Sequence, residues 1–181
     1  MLKIINSLNP FIEDCYTEIG VREYSRIMKI TPPTASKLLK ELELEGLLKK
    51  RSDRGYILFR ANRESSVLRD LSKIYWKQKI KDVIGYINSQ LYDPTIILFG
   101  SLIKLETKKD SDIDLAIFTN INKDINLEKF EKSFKRKIQL FKFKSISNIN
   151  SKELKMNILN SYVVQGVIKE WTGKNAKTRN L

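Results

Sequence analysis

The residues best suited to chemistry lie in one stretch, FGSLIKLETKKDSDIDLAIF, running from Phe99 to Phe118. Gly100 lets the backbone approach a phosphate closely, and the N–H groups after it, with the Ser101 hydroxyl, can hold that phosphate where a helix opens. Asp112 and Asp114 follow at the start of an apolar run, two residues apart, so a strand there puts both carboxylates on one face. Hard oxygen ligands beside a phosphate cradle suit Mg2+ or Mn2+, which bridges carboxylates to triphosphate oxygens. Lys104, Lys108 and Lys109 add positive charge between the two halves of the motif, and Asp110 and Ser111 lead into the second half. The sequence has no histidine and a single cysteine, Cys15. That excludes Ser–His–Asp and Cys–His nucleophile systems, histidine bases, intrachain disulfides and cysteine-cluster metal sites.

Positioning these groups requires strands on either side of them. TIILFG (95–100) and IDLAIFT (113–119) are apolar runs of strand length, and KIQLFKFKS (137–145) alternates like a third strand. NLEKFEKSFKRK (126–137) and SKELKMNILNSY (151–162) read as helices, and GVIKEW (166–171) as a closing strand capped by Trp171. Upstream, residues 65–91 read as one long connecting helix, opened by the hydroxyls of Ser65 and Ser66 and ended by Asp93-Pro94. Tyr75 and Trp76 on that helix are expected to be core. The polar TGKNAKTRNL closes the chain, with 174–181 read as a frayed tail.

Residues 1–64 follow another pattern. Val21, Tyr24, Ile27 and Met28 put an apolar face on a short helix. Thr31 is an N-cap and Pro32 a first helical residue, after which Ala35, Leu38, Leu39 and Leu42 form a buried stripe and Gly46 fits just past the end. The other side of this second helix carries Thr34, Ser36, Lys37 and Lys40. LLKKR, a turn at Ser52-Asp53-Arg54-Gly55, and YILFR then make a β-hairpin with a basic tip. This stretch resembles the winged helix-turn-helix DNA-binding domain over residues 1–62. The resemblance implies double-stranded DNA as a partner, with Thr34, Ser36, Lys37 and Lys40 in the major groove and Lys49, Lys50, Arg51 and Arg54 of the wing on the backbone. The alternative is a packing module that makes a homodimer.

The GS…DSDID pattern, set between strands, resembles the minimal nucleotidyltransferase domain of the DNA polymerase β-like superfamily over residues 94–171. The whole chain is then α+β: a winged helix-turn-helix over 1–64, a long connecting helix over 65–91, and a small mixed-sheet nucleotidyltransferase domain over 92–173. Such a fusion resembles an arrangement found in prokaryotic, particularly archaeal, proteins. The resemblance implies transfer of a nucleoside monophosphate from a nucleoside triphosphate to an acceptor hydroxyl, with Asp112 and Asp114 as the catalytic, metal-holding pair and Gly100 and Ser101 gripping phosphates. It also implies a third carboxylate on the neighbouring strand and a glycine in the turn after GS. Here Gln139 falls at the acidic position and Leu105 at the glycine, and no Asp or Glu stands between Glu131 and Glu153. An amide neither neutralises a dication nor takes a proton at neutral pH.

Two functions remain open at this point. One is a DNA-associated nucleotidyltransferase. The other is a non-catalytic DNA-binding regulator, or an antitoxin-like binder, that uses a degenerate nucleotidyltransferase domain. Minimal domains of this type also resemble the antitoxin half of a pair whose separate protein partner is a HEPN-type ribonuclease. The net charge of +13 favours polyanions, but its spread is even: +3 over 1–64, +3 over 65–91, +3 over 92–150 and +4 over 151–181. With 41% hydrophobic residues the chain can fill a core, and with no bilayer-length apolar run and no secretory leader it is expected in the cytoplasm, away from membranes.

Overall fold

The computed structural model describes residues 3–168. It is α+β, with eight α-helices and two sheets among the described residues. By their contacts the residues form two units, one of the chain up to Ile80 with Gly100–Asp112, the other of Lys81–Phe99 with the chain from Ile113 on. No helix among the described residues is long and apolar enough to cross a membrane.

In the first unit, α1 (Lys3–Glu13) buries Ile5, Leu8, Phe11 and Ile12 along one stripe. Then come β1 (Ile19–Gly20), α2 (Val21–Met28), α3 (Pro32–Leu44), β2 (Leu48–Asp53) and β3 (Tyr56–Ala61). The three strands form an antiparallel sheet in the order β1-β3-β2. Tyr24 of α2 ties the helices to α1: its ring stacks on Phe11 with centroids 5.8 Å apart, and its hydroxyl donates to the Ser7 carbonyl at 2.7 Å. Burial pushes this phenol up to about 12. Ile27, expected on the buried face of α2, is 48% exposed, because an eight-residue helix turns only Tyr24 and Ser25 fully inward. In α3, Thr31 accepts from the Thr34 N–H, Pro32 opens the helix, and Ala35, Leu39 and Leu42 are buried. Gly46 ends it at φ 69°.

The long helix expected over 65–91 is two helices, α4 (Ser66–Lys79) and α5 (Lys81–Gln90), separated at Ile80. The buried positions Leu68, Ser72 and Trp76 of α4 and Val83 and Ile87 of α5 keep helical spacing across the break, so periodicity could not reveal it. The break coincides with the boundary between the units.

In the second unit a mixed four-stranded sheet runs β6-β5-β4-β7. It comprises β4 (Thr95–Phe99), β5 (Ile113–Phe118), β6 (Ile138–Phe143) and β7 (Tyr162–Gln165). β4 is antiparallel to β5 and β7, and β5 is parallel to β6. All five residues of β4 are buried, as a central strand covered on both faces requires. α6 (Ser101–Lys104) lies in the segment after β4, while α7 (Glu128–Phe134) and α8 (Lys152–Leu159) occupy the expected helical stretches in shorter form. One face of the sheet packs Ile97, Phe99 and Ala116 against Ile149 and Ile158, joined by Phe118, Phe141 and Phe143. Fully burying an Ile or Phe side chain in this way stabilises by about 1.5–3 kcal/mol relative to exposure.

The closing strand lies earlier than expected. It is Tyr162–Gln165, and Gly166 at φ 74° ends it where an added Cβ would stand 2.8 Å from the Thr95 hydroxyl. That hydroxyl instead donates to the Val167 carbonyl at 2.7 Å. Trp171 and the tail at 174–181 lie outside the described residues.

Candidate functional site

The β4–β5 ladder fixes the end of the sheet at which the motif begins and ends. Phe99, the last residue of β4, pairs with Asp114, and the Ile113 N–H donates to the Lys137 carbonyl at 2.9 Å, opening the β5–β6 pairing. Between Phe99 and Ile113 the chain makes the excursion 100–112, whose contacts lie within the first unit. Three donors hold it there. The Ser72 hydroxyl reaches the Leu102 carbonyl at 3.2 Å, Arg63 Nε the Leu105 carbonyl at 3.2 Å, and the Cys15 N–H the Thr107 carbonyl at 2.8 Å.

Gly100 sits at φ 82°, ψ −153°, a region open essentially to glycine alone. A side chain here would be strained whatever space surrounded it. Ser101 then begins α6, which is only four residues long. Its carbonyl accepts from the Glu106 N–H at 3.1 Å, and the Thr107 hydroxyl points to the same oxygen at 3.5 Å. Leu105 does not extend this helix. It closes it in the left-handed region at φ 61°, fully buried, at the position where the resemblance implies a glycine.

Asp112 is half-buried at the end of the excursion, and Asp114 is half-buried on β5. The β5–β6 register sets Gln139 directly beside Asp114, on the same face, with Phe99 on its other flank. The position where a third carboxylate would stand is thus an exposed amide. Asp124, Glu128 and Glu131, the acids between β5 and β6, are placed as follows. Glu131 accepts from the Ile138 N–H at 2.8 Å, capping the outer edge of β6, and Asp124 lies 3.7 Å from Lys142. Glu128 and Glu131 line a cavity of about 490 Å3 with Ile138 and Leu140, residues that alternate with Gln139 along the strand and so belong to the opposite face. A second cavity, of about 300 Å3, lies at the far end of β5 among Phe118, Thr119 and Lys144. Among the described residues no group of three or more Asp, Glu, His or Cys side chains is placed to hold a metal ion.

The residues assigned to DNA fall into two sets. On α3, Thr34, Lys37 and Lys40 are exposed and Ser36 is half-buried. Lys37 lies 3.9 Å from Glu41, and the Thr34 and Thr31 hydroxyls are 2.8 Å apart. On the hairpin, three of the four cations already hold carboxylates. Lys49 meets Glu64 at 2.5 Å, Lys50 meets Glu43 at 3.2 Å, and Arg51 grips Glu18 with two nitrogens at 2.7 and 3.0 Å. The Arg51 fork holds the Glu18 carboxyl below its ordinary value, and Lys49 does the same to Glu64. Arg54 forms the tip with Gly55, both at positive φ, the pattern of a type I′ turn. Lys49, Lys50 and Arg51 thus each hold an ion pair with a carboxylate, and Arg54 stands at the tip beyond them. Sequence reading missed Glu18, Glu43 and Glu64 because nothing in the local spacing pairs them with strand cations.

Residues 78–165 match the family model described as "Polymerase beta, Nucleotidyltransferase". The match takes in β4, the excursion, β5, β6 and β7, and leaves α1 to α3 and the hairpin outside it. No curated protein and no solved structure matches the chain. Residues 78–165 are thus a nucleotidyltransferase-like domain.

Proposed function

We propose that this protein binds a nucleoside triphosphate with Mg2+ through Gly100, Ser101, Asp112 and Asp114, and double-stranded DNA through α3 and the hairpin tip, without transferring a nucleotide. The observation that carries the reading is the β5–β6 register, which sets Gln139 beside Asp114. The glycine-only backbone at position 100 supports the phosphate cradle. Asp112 and Asp114, two residues apart in the sequence and both half-buried, suit a single hard cation, since Mg2+ is commonly held by one or two carboxylates and the phosphates it accompanies. Asp112 and Asp114 would hold that cation, and its charge would neutralise the triphosphate. An amide in place of the third carboxylate removes the group that would share a metal and draw the proton from an acceptor hydroxyl.

On the DNA side, the hydroxyls and amines of Thr34, Ser36, Lys37 and Lys40 present a polar-basic face, and the element order helix, strand, two helices, hairpin supports the winged-helix reading. Lys49, Lys50 and Arg51 contribute less than Arg54, because each would first have to leave a carboxylate.

Labelled triphosphate with Mg2+, with and without EDTA, tests the nucleotide half. The wild type should bind in a Mg2+-dependent way without releasing pyrophosphate, and Asp112→Ala plus Asp114→Ala should abolish the binding. Turnover by the wild type that the double variant loses would show an enzyme instead. Gln139→Asp tests the amide, since restoring a carboxylate should raise transfer if the rest of the site is competent. On duplex DNA, Lys37→Glu plus Arg54→Glu should remove salt-dependent binding; unchanged binding would refute that half.

A further inference from the structure

A serine interrupts the inward row of α4, where Leu68, Ser72 and Trp76 follow one another at four-residue steps, all fully buried. Packing alone asks only for a small side chain there, which alanine would supply without burying a polar group. The other buried helical serines among the described residues bond back onto their own helices. The Ser7 hydroxyl donates to the Lys3 carbonyl at 3.0 Å, and the Ser25 hydroxyl to the Arg22 carbonyl at 2.9 Å. Such back-bonding is the ordinary local outlet for a hydroxyl in a helix. The Ser72 hydroxyl instead leaves α4 and donates to the Leu102 carbonyl at 3.2 Å, 30 residues along the chain.

The acceptor belongs to an element that cannot support itself. α6 has four residues, and the N–H groups that close it, those of Leu105 and Glu106, both reach the Ser101 carbonyl. So short a helix gains almost nothing from cooperative bonding, and its shape depends on ties from outside. Leu102 is as fully buried as Ser72, so water does not stand in for the hydroxyl. The bond lies wholly within the first unit and acts one residue beyond Ser101.

We infer that Ser72 is a positioning residue for triphosphate binding: its buried hydroxyl fixes the Leu102 carbonyl, and with it the backbone and hydroxyl of Ser101. This role rests on the triphosphate reading of Gly100 and Ser101, and it gives part of their preorganisation to a residue outside the matched stretch 78–165. Without the bond α6 populates other conformations, and the measured affinity falls with the fraction of molecules that keep the competent one.

Ser72→Ala tests the role, with Ser25→Ala as its matched control. Each removes one buried hydroxyl from a helix of the first unit, and only Ser72 bonds to the excursion. Labelled triphosphate with Mg2+ is titrated at a temperature where circular dichroism shows both variants folded. Ser72→Ala should weaken binding by about 3- to 10-fold, the worth of one hydrogen bond, and Ser25→Ala by less than about twofold. Amide hydrogen exchange at residues 102–106, measured without nucleotide, should quicken in Ser72→Ala alone. Ser72→Cys keeps a small side chain with a weaker donor and should bind between wild type and Ser72→Ala. A loss below about twofold in Ser72→Ala, or an equal loss in Ser25→Ala, overturns the positioning role and leaves the triphosphate reading standing. Unchanged exchange at 102–106, or weaker binding by Ser72→Cys than by Ser72→Ala, overturns it equally. A wild type that binds no triphosphate refutes the reading itself, and the role of Ser72 falls with it.

Discussion

Two antiparallel strand pairs carry the charged residues discussed above, and their chain reversals are built in opposite ways. β2 turns into β3 through Arg54 and Gly55, with an unbroken register from Asp53–Tyr56 to Leu48–Ala61. β4 and β5 are as regularly paired, yet between them the chain leaves for the whole excursion 100–112. The first reversal is closed by local backbone preference. The second is held by donors from Cys15, Arg63 and Ser72, far away in sequence. Their electrostatics differ as well: the hairpin's cations are matched by Glu18, Glu43 and Glu64, whereas the excursion is marked first by a backbone conformation, that of Gly100. A run of lysines and arginines is therefore a weaker sign of a binding face than a glycine whose geometry nothing else can adopt.

The largest expected effect lies at the long reversal. Gly100→Val forces a β-branched residue into a glycine-only region and should cost about 3 kcal/mol, a fall of about 6–12 °C in Tm by calorimetry, with triphosphate affinity falling alongside. A Tm within about a degree of wild type would break the contrast. Leu105→Gly comes next and runs against the family expectation. It relieves about 1–2 kcal/mol of left-handed strain but removes a fully buried side chain worth about 2–5 kcal/mol, so chemical denaturation should show a net loss of about 2 kcal/mol. A gain would mean that the strain outweighs the packing.

At the short reversal the effects are smaller and of opposite sign for stability and binding. Arg54→Asn suits the positive φ of the turn and should raise stability by about 0.5 kcal/mol while weakening duplex DNA. Parallel changes in both would show that Arg54 has no role beyond the turn. Glu18→Gln is the mildest. The Glu18 carboxyl is held below its ordinary value of 4.5 by Arg51, so its contribution is present above that pH and is lost as pH falls through the lower folded value. The acid limb of the Tm profile should flatten slightly in the variant. Arg51, released, should then strengthen duplex binding and steepen its salt slope by about 0.9; an unchanged slope would show that Arg51 does not face DNA.

Much of the local structure was legible in residue types. Thr31-Pro32 started α3, Arg54-Gly55 closed a hairpin, TIILF and IDLAIF became central strands, and the GS and DxD halves fell at the two ends of an excursion because strands and a tight glycine turn leave few alternatives. The break at Ile80 was not legible, since one residue out of helical geometry leaves the apolar spacing intact. Nor was the early end of β7, which depends on how closely Gly166 approaches Thr95.

By itself the sequence determined the identity of the chemical groups: a glycine, a serine and two aspartates at a telling spacing, no histidine, and an amide where a carboxylate was due. Those are properties of composition and order along the chain. Only the tertiary structure decided that Gln139 stands in Asp114's row, that Glu131 caps a strand edge, and that Arg51 is gripped by Glu18. Strand register and ion pairing join residues distant in the chain, and no local periodicity encodes which of several acids or amides will meet.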